Sequence, residues 1–593
     1  MPTQAEHVNE WLSARAELTP HGEAYWERTQ AADWISINWS EVHGHVRNLS
    51  AHLRRLGLRS GDRAVIMMPT LPEWEYCHLA VLAVGGVVVG IDAHDSPENI
   101  RHILQIVQPR VLFLATNDRL DMLKEMLTAA PDIIVSMDSP VPHGVSSLQD
   151  LLTAATDTDL PRSLVTPDHL ATIIFTSGST GQPKGIAYTH RQLYLAAEAI
   201  LARFPSITQP ARLACWLPLS NLFQRIINLC AIMRGTQCYF VESPGDIVKR
   251  LPEICPALLI GVPRFYEKLY VGIQAEVAKK SWLVRTAVHL AWGLGERFHG
   301  AKRVGRKPGL ALSMAHNITD SLVLRRLRIM LGPDLKFMVS GSAPMSPWLL
   351  ERLHGLGWLV LEAYGISECV VPIANNTLEA YRFGSVGRPL PENEIKFDQD
   401  GELLVRGPGV CTRYYQEAEA DTTLDANGYL HTGDYARLDK DGYLWLTGRK
   451  SEIFKTSTGR RIAPVPLEST IKRLAYVEHA VLFGRNRPFP VVLLSMDARN
   501  LPGSLSETPL SDALLQAIGR DVTAACIQLP SYQRPAGALV TLRLFSIASG
   551  ELTGNLKLRR SVIEDKYSIE INALYEKLVP SSDHSRCVIQ EIA

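Results

Sequence analysis

The chain has 593 residues, too many for one hydrophobic core, so several folding units are expected. Lysine plus arginine equals aspartate plus glutamate at 61 each, so no overall field would attract nucleic acid. The nine cysteines are scattered without a CxxC pair, which argues against a disulfide framework or a structural zinc site and favours a reducing cytoplasm.

Predicted elements in the N-terminal part alternate between helix and strand. Apolar residues between Val42 and Leu56 recur at spacings of four and three, which predicts one buried face of a helix. Continuous apolar strands and further helices follow, at 64–68, 73–84 and 87–91, with a helix opened by Ser96 and strands at 111–114 and 133–135. This alternation is typical of a parallel, doubly wound α/β sheet.

A loop rich in glycine and hydroxyl groups, TSGSTGQPKG, lies between two apolar strand-like runs. It is not a GxxxxGK[ST] P-loop, because Pro183 replaces the second glycine and Gly185 follows Lys184. Its amides, hydroxyls and lysine can still surround anionic oxygens, whereas the alternative is a flexible surface turn. The predicted anion-binding residues are Ser177, Gly178, Ser179, Thr180, Gly181 and Lys184.

The segment 279–328 is strongly basic, with eleven lysines and arginines against only Glu296 and Asp320. Tryptophan, leucine and phenylalanine are interleaved with these charges. Two interpretations are compatible with this pattern: a helix on a membrane surface, or a solvated helical hairpin whose apolar side lies in the core.

The C-terminal part has a different texture. Turn signals at Asn427-Gly428, Asp441-Gly442 and Thr458-Gly459 predict hairpins. After Gly448 the pattern predicts a small α+β unit with strands near 479–483, 491–495 and 539–545, a helix near 512–526 and a terminal helix from Lys557. We therefore expect an N-terminal domain over 1–448 and a C-terminal domain over 449–593.

Three further motifs follow the loop in order: YGISE at 364–368, HTGD at 431–434 and YLWLTGRKSEIFK at 443–455. Together they resemble the adenylate-forming (AMP-binding) superfamily of acyl-CoA synthetases, luciferases and adenylation domains. Segments similar to the long-chain fatty acyl-CoA synthetase branch are IGVPRFYEKLY, LVLRRLRIMLGPDLKFMVSGSAPMS and GELTGNLKLRR.

The resemblance implies a large N-terminal ATP- and acyl-binding domain, with doubly wound sheets and a β-rich subdomain, and a small mobile α+β C-terminal lid. It also implies ATP-dependent conversion of a long-chain fatty acid to acyl-AMP. Transfer to coenzyme A would then give acyl-CoA, AMP and pyrophosphate. The implied substrates and cofactors are ATP, Mg²⁺, a fatty acid and coenzyme A.

The resemblance also assigns roles to residues. Residues 176–184 would hold the β- and γ-phosphates, Glu368 would hold Mg²⁺, and Asp434 would bind the ribose hydroxyls with Arg449 close by. Lys557 would reach the α-phosphate and the carboxylate, so Lys557, Glu368 and Thr176 are the expected catalytic residues. The other implied nucleotide-binding residues are Gly341, Ser342, Ala343, Tyr364, Gly365 and Ser367.

The chain departs from the long-chain branch mildly at Ser367, which replaces a threonine but keeps the hydroxyl, and more strongly at three other positions. Asn221 stands where a gate histidine is usual, Ser451 replaces a charged hinge residue, and Thr458, beside Gly459, replaces a glycine near the expected coenzyme A tunnel. The acceptor and the acyl group therefore stay open. The alternatives are transfer to the pantetheine of an acyl carrier protein, use of a non-fatty carboxylic acid, and a non-catalytic nucleotide- or lipid-binding homologue. We expect a cytoplasmic protein that binds no nucleic acid, with peripheral membrane contact through 279–328 left open.

Overall fold

The fold is taken from a computed structural model, which describes residues 8–29, 33–127, 129–154, 165–176, 183–412, 414–416, 424–501, 510–546, 549–552, 558–578 and 587–592. The chain forms two compact units. The large unit comprises Met1–Lys396, Leu404–His431 and Leu438–Trp445. The small unit comprises Phe397–Leu403, Thr432–Arg437 and Leu446–Ala593.

The strands, in chain order, are β1 (Glu23–Arg28), β2 (Trp34–Asn38), β3 (Arg63–Met67), β4 (Val87–Gly90), β5 (Val111–Leu114), β6 (Ile133–Ser136), β7 (Ser146–Ser147), β8 (Leu170–Thr176), β9 (Lys184–Thr189), β10 (Arg212–Cys215), β11 (Gln237–Phe240), β12 (Leu258–Gly261), β13 (Phe337–Ser340), β14 (Val360–Ile366), β15 (Cys369–Asn375), β16 (Arg388–Pro389), β17 (Glu394–Phe397), β18 (Glu402–Arg406), β19 (Leu430–Leu438), β20 (Leu444–Arg449), β21 (Phe454–Lys455), β22 (Arg461–Ile462), β23 (Val477–Phe483), β24 (Val491–Met496), β25 (Gly537–Thr541) and β26 (Val588–Glu591).

The α-helices are α1 (Val8–Leu18), α2 (Trp39–Arg55), α3 (Pro72–Ala83), α4 (Pro97–Val107), α5 (Leu120–Met126), α6 (Leu148–Thr153), α7 (His190–Arg203), α8 (Leu222–Arg234), α9 (Ile247–Ile254), α10 (Pro263–Ala278), α11 (Trp282–Arg303), α12 (Leu310–Thr319), α13 (Arg325–Arg328), α14 (Pro347–Gly355), α15 (Pro464–Ile471), α16 (Asp512–Ala525), α17 (Arg560–Lys566) and α18 (Ser568–Lys577). None of these described helices is both long enough and apolar enough to cross a membrane.

The first sheet of the large unit has seven strands in the order β7-β6-β5-β3-β4-β8-β9. Its pairs are parallel except for the last, where β8 and β9 form an antiparallel hairpin. The strands are buried apolar runs, as at Val111–Leu114, because helices cover the sheet. The predicted α/β class is therefore confirmed.

The second sheet of the large unit has nine strands in the order β16-β15-β14-β13-β12-β10-β11-β1-β2. Its centre, from β14 through to β1, is parallel, and the pairs at both edges are antiparallel. Parallel strands place their carboxyl ends at one edge of the sheet, which is where ligands bind in open α/β sheets.

Local signals fix where several helices begin. The Asn38 side chain accepts a hydrogen bond from the Glu41 amide, and the Asn38 amide donates to the Glu41 carboxylate, which completes a capping box. Ser96 caps α4 by accepting from the Asn99 amide. Thr189 and Gln192 form the predicted capping box at the start of α7. Each cap satisfies amides that the first helical turn would otherwise leave unpaired.

The small unit contains a four-stranded sheet, β23-β24-β25-β26, with side chains of two apolar clusters on its alternate faces. Two predictions here were wrong. The terminal helix begins at Arg560 and not at Lys557, since Leu558 forms a bridge to Leu552 and Arg559 precedes the helix. The strand predicted over 539–545 ends at Thr541.

A further sheet has the strand order β17-β18-β19-β20. The predicted turns are present in this region, because the Gly428 amide donates to the Asp425 carbonyl and the Gly442 amide to the Asp439 carbonyl. Both glycines have a positive φ, 77° and 80°, in a backbone conformation that would be strained for a residue with a side chain.

Candidate active site

The predicted anion-binding loop joins two paired strands of the large unit. Thr176, the last residue of β8, is opposite Lys184, the first residue of β9, in the antiparallel register. The residues between them that carry the predicted hydroxyls and glycines, Ser177, Gly178, Ser179, Thr180 and Gly181, lie outside the described residues. The structure thus places the two ends of the loop side by side.

A tyrosine that the sequence did not single out connects this hairpin to the YGISE motif. The Lys184 Nζ atom lies 4.5 Å from the centre of the Tyr414 ring, a cation–π arrangement. The Tyr414 hydroxyl donates a hydrogen bond of 3.2 Å to Oε1 of Glu368. One aromatic side chain therefore touches both the predicted phosphate-binding lysine and the predicted metal-binding carboxylate.

Backbone contacts hold these groups in place. Ser367 and Glu368 form the turn between β14 and β15, and the Tyr188 hydroxyl donates to the Ser367 carbonyl. The Cys411 amide donates to the Glu368 carbonyl at 2.8 Å, and the Tyr415 amide donates to the Gly185 carbonyl at 2.7 Å. The chain around Tyr414 thus bonds to both motifs, which fixes their separation.

Residues 341–343, called the GSA stretch here, follow β13 at the carboxyl edge of the nine-stranded sheet. Ser342 has a φ of +69°, in the left-handed region that residues other than glycine seldom adopt. A Cβ added at Gly341 would lie 3.5 Å from the ring of Phe223, in the first turn of α8. Asn221, the predicted gate residue, is the N-cap position of that helix and therefore lies close to the GSA stretch in the fold.

A buried acid, Glu362, lies in the nine-stranded sheet close to residues 341–343. It lies on β14 beside Ser340 of β13, two residues before Tyr364 and three before Gly365. Its Oε1 accepts from the Met345 amide at 3.3 Å and its Oε2 from the Gly384 amide at 3.0 Å. Burial raises the pKa of Glu362 to about 7, against which the two amide bonds act in the lowering direction.

This raised pKa predicts a pH dependence of stability. The folded chain keeps the Glu362 proton at pH values where the unfolded chain has lost it. The contribution of protonated Glu362 to the free energy of unfolding is therefore complete below pH 4.5 and is lost as the pH rises through about 7. The free energy of unfolding should change by about 3 kcal/mol over this range, because each pKa unit corresponds to about 1.36 kcal/mol. Glu362→Gln stays neutral, so the Tm of the wild type relative to this variant should fall by several degrees between these pH values. Exposed Glu379→Gln is the control, and parallel Tm profiles for Glu362→Gln and wild type would contradict the assignment.

In the small unit, HTGD and GRK meet through an ion pair. Arg449 Nε lies 3.1 Å from Oδ1 of Asp434, whose side chain is buried while that of Arg449 is half exposed. The Thr432 hydroxyl accepts from the Asp434 amide at 3.2 Å and donates to the Leu403 carbonyl at 2.7 Å. The Arg449 cation thus orients the predicted ribose-binding carboxylate, and the Thr432 hydroxyl fixes the backbone at Asp434.

Glu402, which sequence reasoning missed, fixes the backbone of β19 just before Asp434. Its buried carboxylate accepts from the Gly433 amide at 3.0 Å and from Lys450 Nζ at 2.7 Å. Lys450 also lies 3.0 Å from Asp400, and these two acids raise the pKa of Lys450. The sequence contains one signal for this role, since Glu402 begins the apolar strand ELLV. An acid in such a strand is buried only when it is paired, so a partner for Glu402 could be expected.

The predicted hinge and tunnel residues lie in exposed turns of the small unit. Ser451 is exposed in the turn after β20, where the Ile453 amide donates to the Arg449 carbonyl. Thr458 is at the tip of the β21–β22 hairpin, 2.8 Å from the Thr456 hydroxyl. Gly459 follows with a φ of +78°.

Lys557 lies outside the described residues, but the chain on both sides of it is anchored. Before it, the fully buried Glu551 accepts hydrogen bonds from Lys566 at 2.6 Å and from the Ser546 amide at 3.3 Å. After it, Arg560 forms a bidentate pair with Glu468. The segment that carries the predicted catalytic lysine therefore starts and ends at fixed points.

Comparison with known proteins identifies the family. The AMP-binding enzyme family matches residues 12–415, and the AMP-binding enzyme C-terminal domain matches residues 452–579. The chain is 30% identical over 562 residues to the long-chain-fatty-acid–CoA ligase FadD15 of Mycobacterium bovis, covering 92% of this chain and 93% of the relative. It is 28% identical over 599 residues to the long-chain-fatty-acid–CoA ligase ACSBG2 of Mus musculus, covering 91% and 89%.

Solved structures share the fold. The O-succinylbenzoate coenzyme A synthetase MenE from Bacillus subtilis, in complex with ATP and magnesium ion, matches with a TM-score of 0.69 and 21% identity, over 93% of this chain and 98% of that one. The adenylation domain of a carboxylate reductase from Mycobacterium chelonae matches with a TM-score of 0.77 and 20% identity, over 97% and 92%. The family matches and the sequence relatives lead to one assignment. The chain belongs to the AMP-binding enzyme family, in its long-chain fatty acyl-CoA synthetase branch, and is an AMP-forming acid–thiol ligase.

Proposed function

We propose that this enzyme joins a long-chain fatty acid to ATP, releasing pyrophosphate, and then transfers the acyl group from acyl-AMP to coenzyme A. The names of FadD15 and ACSBG2, both long-chain-fatty-acid–CoA ligases, support this choice of acid and acceptor. The observation that carries the proposal is the contact of Lys184 and Glu368 with the same tyrosine, because it sets a cation and an acid together at the end of the predicted phosphate loop.

The first step brings two anions together, since a carboxylate oxygen attacks the α-phosphorus and pyrophosphate leaves. Positive groups must lie where the charge develops. Lys184 and the amides and hydroxyls of residues 176–181 would bind the β- and γ-phosphates, and Thr176 is the residue at the end of β8. Lys557 would bind the α-phosphate and the attacking carboxylate.

Glu368 fits a magnesium site by its chemistry. It is a half-buried carboxylate, and among the described residues no cationic side chain forms an ion pair with it. Mg²⁺ prefers such oxygen ligands and, when bound, supplies positive charge to the phosphates. Glu368 would hold the ion, and the hydrogen bond from Tyr414 would keep the carboxylate oriented.

The nucleoside would be held by residues of the HTGD, GRK, GSA and YGISE motifs. Asp434 would accept hydrogen bonds from the two ribose hydroxyls, with Arg449 beside the ribose or the phosphate. The adenine and the acyl phosphate would lie against Gly341, Ser342, Ala343 and Tyr364, with Gly365 and Ser367 completing the wall. The left-handed backbone at Ser342 supports this role, because strained conformations concentrate at binding sites.

In the second step the thiolate of coenzyme A attacks the acyl carbonyl and AMP leaves. Lys557 serves the first step, so we propose that the C-terminal domain, over 449–593, turns about Ser451 between the steps. Thr458 and Gly459 would then line the tunnel for the pantetheine, and Asn221 would gate the acyl chain at the start of α8.

The acceptor and the acid define the competing functions. Transfer to the pantetheine of an acyl carrier protein, or the use of a non-fatty carboxylic acid, would need the same first step. A non-catalytic homologue would bind ATP without releasing pyrophosphate. The paired Asp434 and Arg449 and the Glu368 contacts support a working enzyme over this last alternative.

Mass spectrometry of the products tests the proposal. The purified enzyme is mixed with ATP, Mg²⁺ and fatty acids of graded chain length, with and without coenzyme A. We expect acyl-CoA and AMP from the longer acids. Acyl-AMP that accumulates with coenzyme A present would exclude coenzyme A as the acceptor, and the absence of both products with every acid would contradict the proposed substrate class.

A further inference from the structure

An apolar stripe lies on the solvent side of α12 and the turn that follows. Leu310, Met314, Ile318 and Leu322 recur every four residues and are 86%, 65%, 57% and 59% exposed. A spacing of four places them along one side of the helix. The solvent side of a helix in a globular protein is normally polar, so this stripe is unusual.

The opposite side of this helix is already packed against the protein. His316 is buried and stacks on Phe298 of α11, with ring centres 4.0 Å apart. Leu324, in the π-helical turn Asp320–Leu324, is fully buried, and a Cβ added at Gly295 of α11 would lie 3.4 Å from it. The exposed stripe is therefore not the face by which α12 joins its own fold.

A second exposed apolar group is at the start of α11. Trp282 and Leu283 are 65% and 62% exposed, and the exposed cations Lys280 and Arg285 flank them. Tryptophan next to lysine and arginine is typical of segments that lie in the interface of a lipid bilayer.

The α11–α12 hairpin and the turns that follow it, residues 282–328, carry almost only positive charges. The two acids of this segment are used inside the fold, because Glu296 pairs with Arg352 at 2.7 Å and Asp320 pairs with Arg328 at 2.6 Å. Among the described residues, four exposed cations at the two ends of the stripe have no acidic partner: Arg306, Lys307, Arg325 and Arg326.

We propose that the α11–α12 hairpin docks on a membrane surface that contains anionic phospholipid. The stripe would enter the headgroup boundary, and the four cations would bind lipid phosphates. A second copy of the chain is a poorer occupant, because a two-fold contact would set this positive surface against itself. This inference concerns where the enzyme acts and does not depend on which acid or acceptor it uses.

Vesicle co-sedimentation of the full chain tests the charges. At low salt we expect binding to vesicles of phosphatidylcholine with phosphatidylglycerol and little binding to phosphatidylcholine alone. Each Lys or Arg near an anionic surface contributes about fivefold, so Arg306→Gln with Lys307→Gln should weaken binding roughly 30-fold. The control, Arg101→Gln with Lys124→Gln, removes two exposed cations elsewhere in the large unit and should leave binding unchanged.

The stripe is tested separately. Leu310→Ser with Met314→Ser and Ile318→Ser should weaken binding at least about tenfold, because burial of apolar area is lost. The control, Ile527→Ser with Ile569→Ser, removes two other exposed apolar side chains. Equal loss with the control variants, no vesicle binding at low salt, or a dimer that the stripe variant disrupts would each overturn the proposal.

Activity separates this inference from the proposed function. With a fatty acid presented in solution, the stripe and charge variants should form product at the wild-type rate, since they lie outside the proposed site. Vesicle binding itself needs no ATP, fatty acid or coenzyme A, so it can fail while the enzyme works and can succeed while the assigned substrate is wrong.

Discussion

Replacing Glu368 with Gln is expected to slow acyl-AMP formation by about 10² to 10³, the scale for losing one positioned electrostatic group. Gln keeps the size of the side chain and an oxygen that can accept from the Tyr414 hydroxyl, so the substitution removes mainly the charge. A neutral amide is also a poorer ligand for Mg²⁺ than a carboxylate. The measurement is the initial rate of pyrophosphate release over a range of Mg²⁺ concentrations, where the variant should need more Mg²⁺.

Tyr414→Phe is the matched control for Glu368→Gln. It removes the 3.2 Å hydrogen bond but keeps the charge of Glu368 and the ring beneath Lys184. A single hydrogen bond contributes about 0.5–1.5 kcal/mol, so the loss should stay within about tenfold. A Glu368→Gln enzyme that releases pyrophosphate at the wild-type rate, or equal losses in the two variants, would contradict the role assigned to the carboxylate.

The elements of the fold could be predicted from apolar spacing and caps because these signals are local. The Thr189 capping box and the strand 111–114 are at their predicted positions. The predicted terminal helix starts three residues too early, because the basic run LKLRR does not show that Leu558 pairs with Leu552 before the helix begins at Arg560. Helical propensity is a property of the local sequence, so it does not indicate that Leu558 pairs with Leu552.

The motifs indicated where the chemistry lies but not the groups that position it. Tyr414 is 46 residues from Glu368 along the chain, and neither has a spacing that predicts their contact. Glu362 and Glu402 are buried acids whose partners are backbone amides, joined at Glu402 by Lys450, and only the folded sheets bring these together. These contacts depend on tertiary packing. A motif therefore predicts the residue types of a site but not the side chains and amides that position them.

Replacing Lys557 with Ala is expected to lower the rate of acyl-AMP formation by about 10² or more, while transfer from supplied acyl-AMP to coenzyme A is less affected. The reason is that the lysine charge would act on the α-phosphate and the attacking carboxylate, which react only in the first step. The buried Glu551 and the Arg560–Glu468 pair anchor the chain on both sides, so the substitution should leave the fold intact. The two half-reactions are measured separately, as pyrophosphate release and as acyl-CoA formation from acyl-AMP.

The matched control is Lys577→Ala, which removes a lysine of α18 that donates a hydrogen bond of 2.9 Å to Gln590. It should leave both half-reactions near the wild-type rate. Equal losses in the two half-reactions of Lys557→Ala would contradict a role confined to the first step. A loss only in the transfer step would assign Lys557 to coenzyme A binding, and the positive group at the α-phosphate would then have to come from another part of the chain.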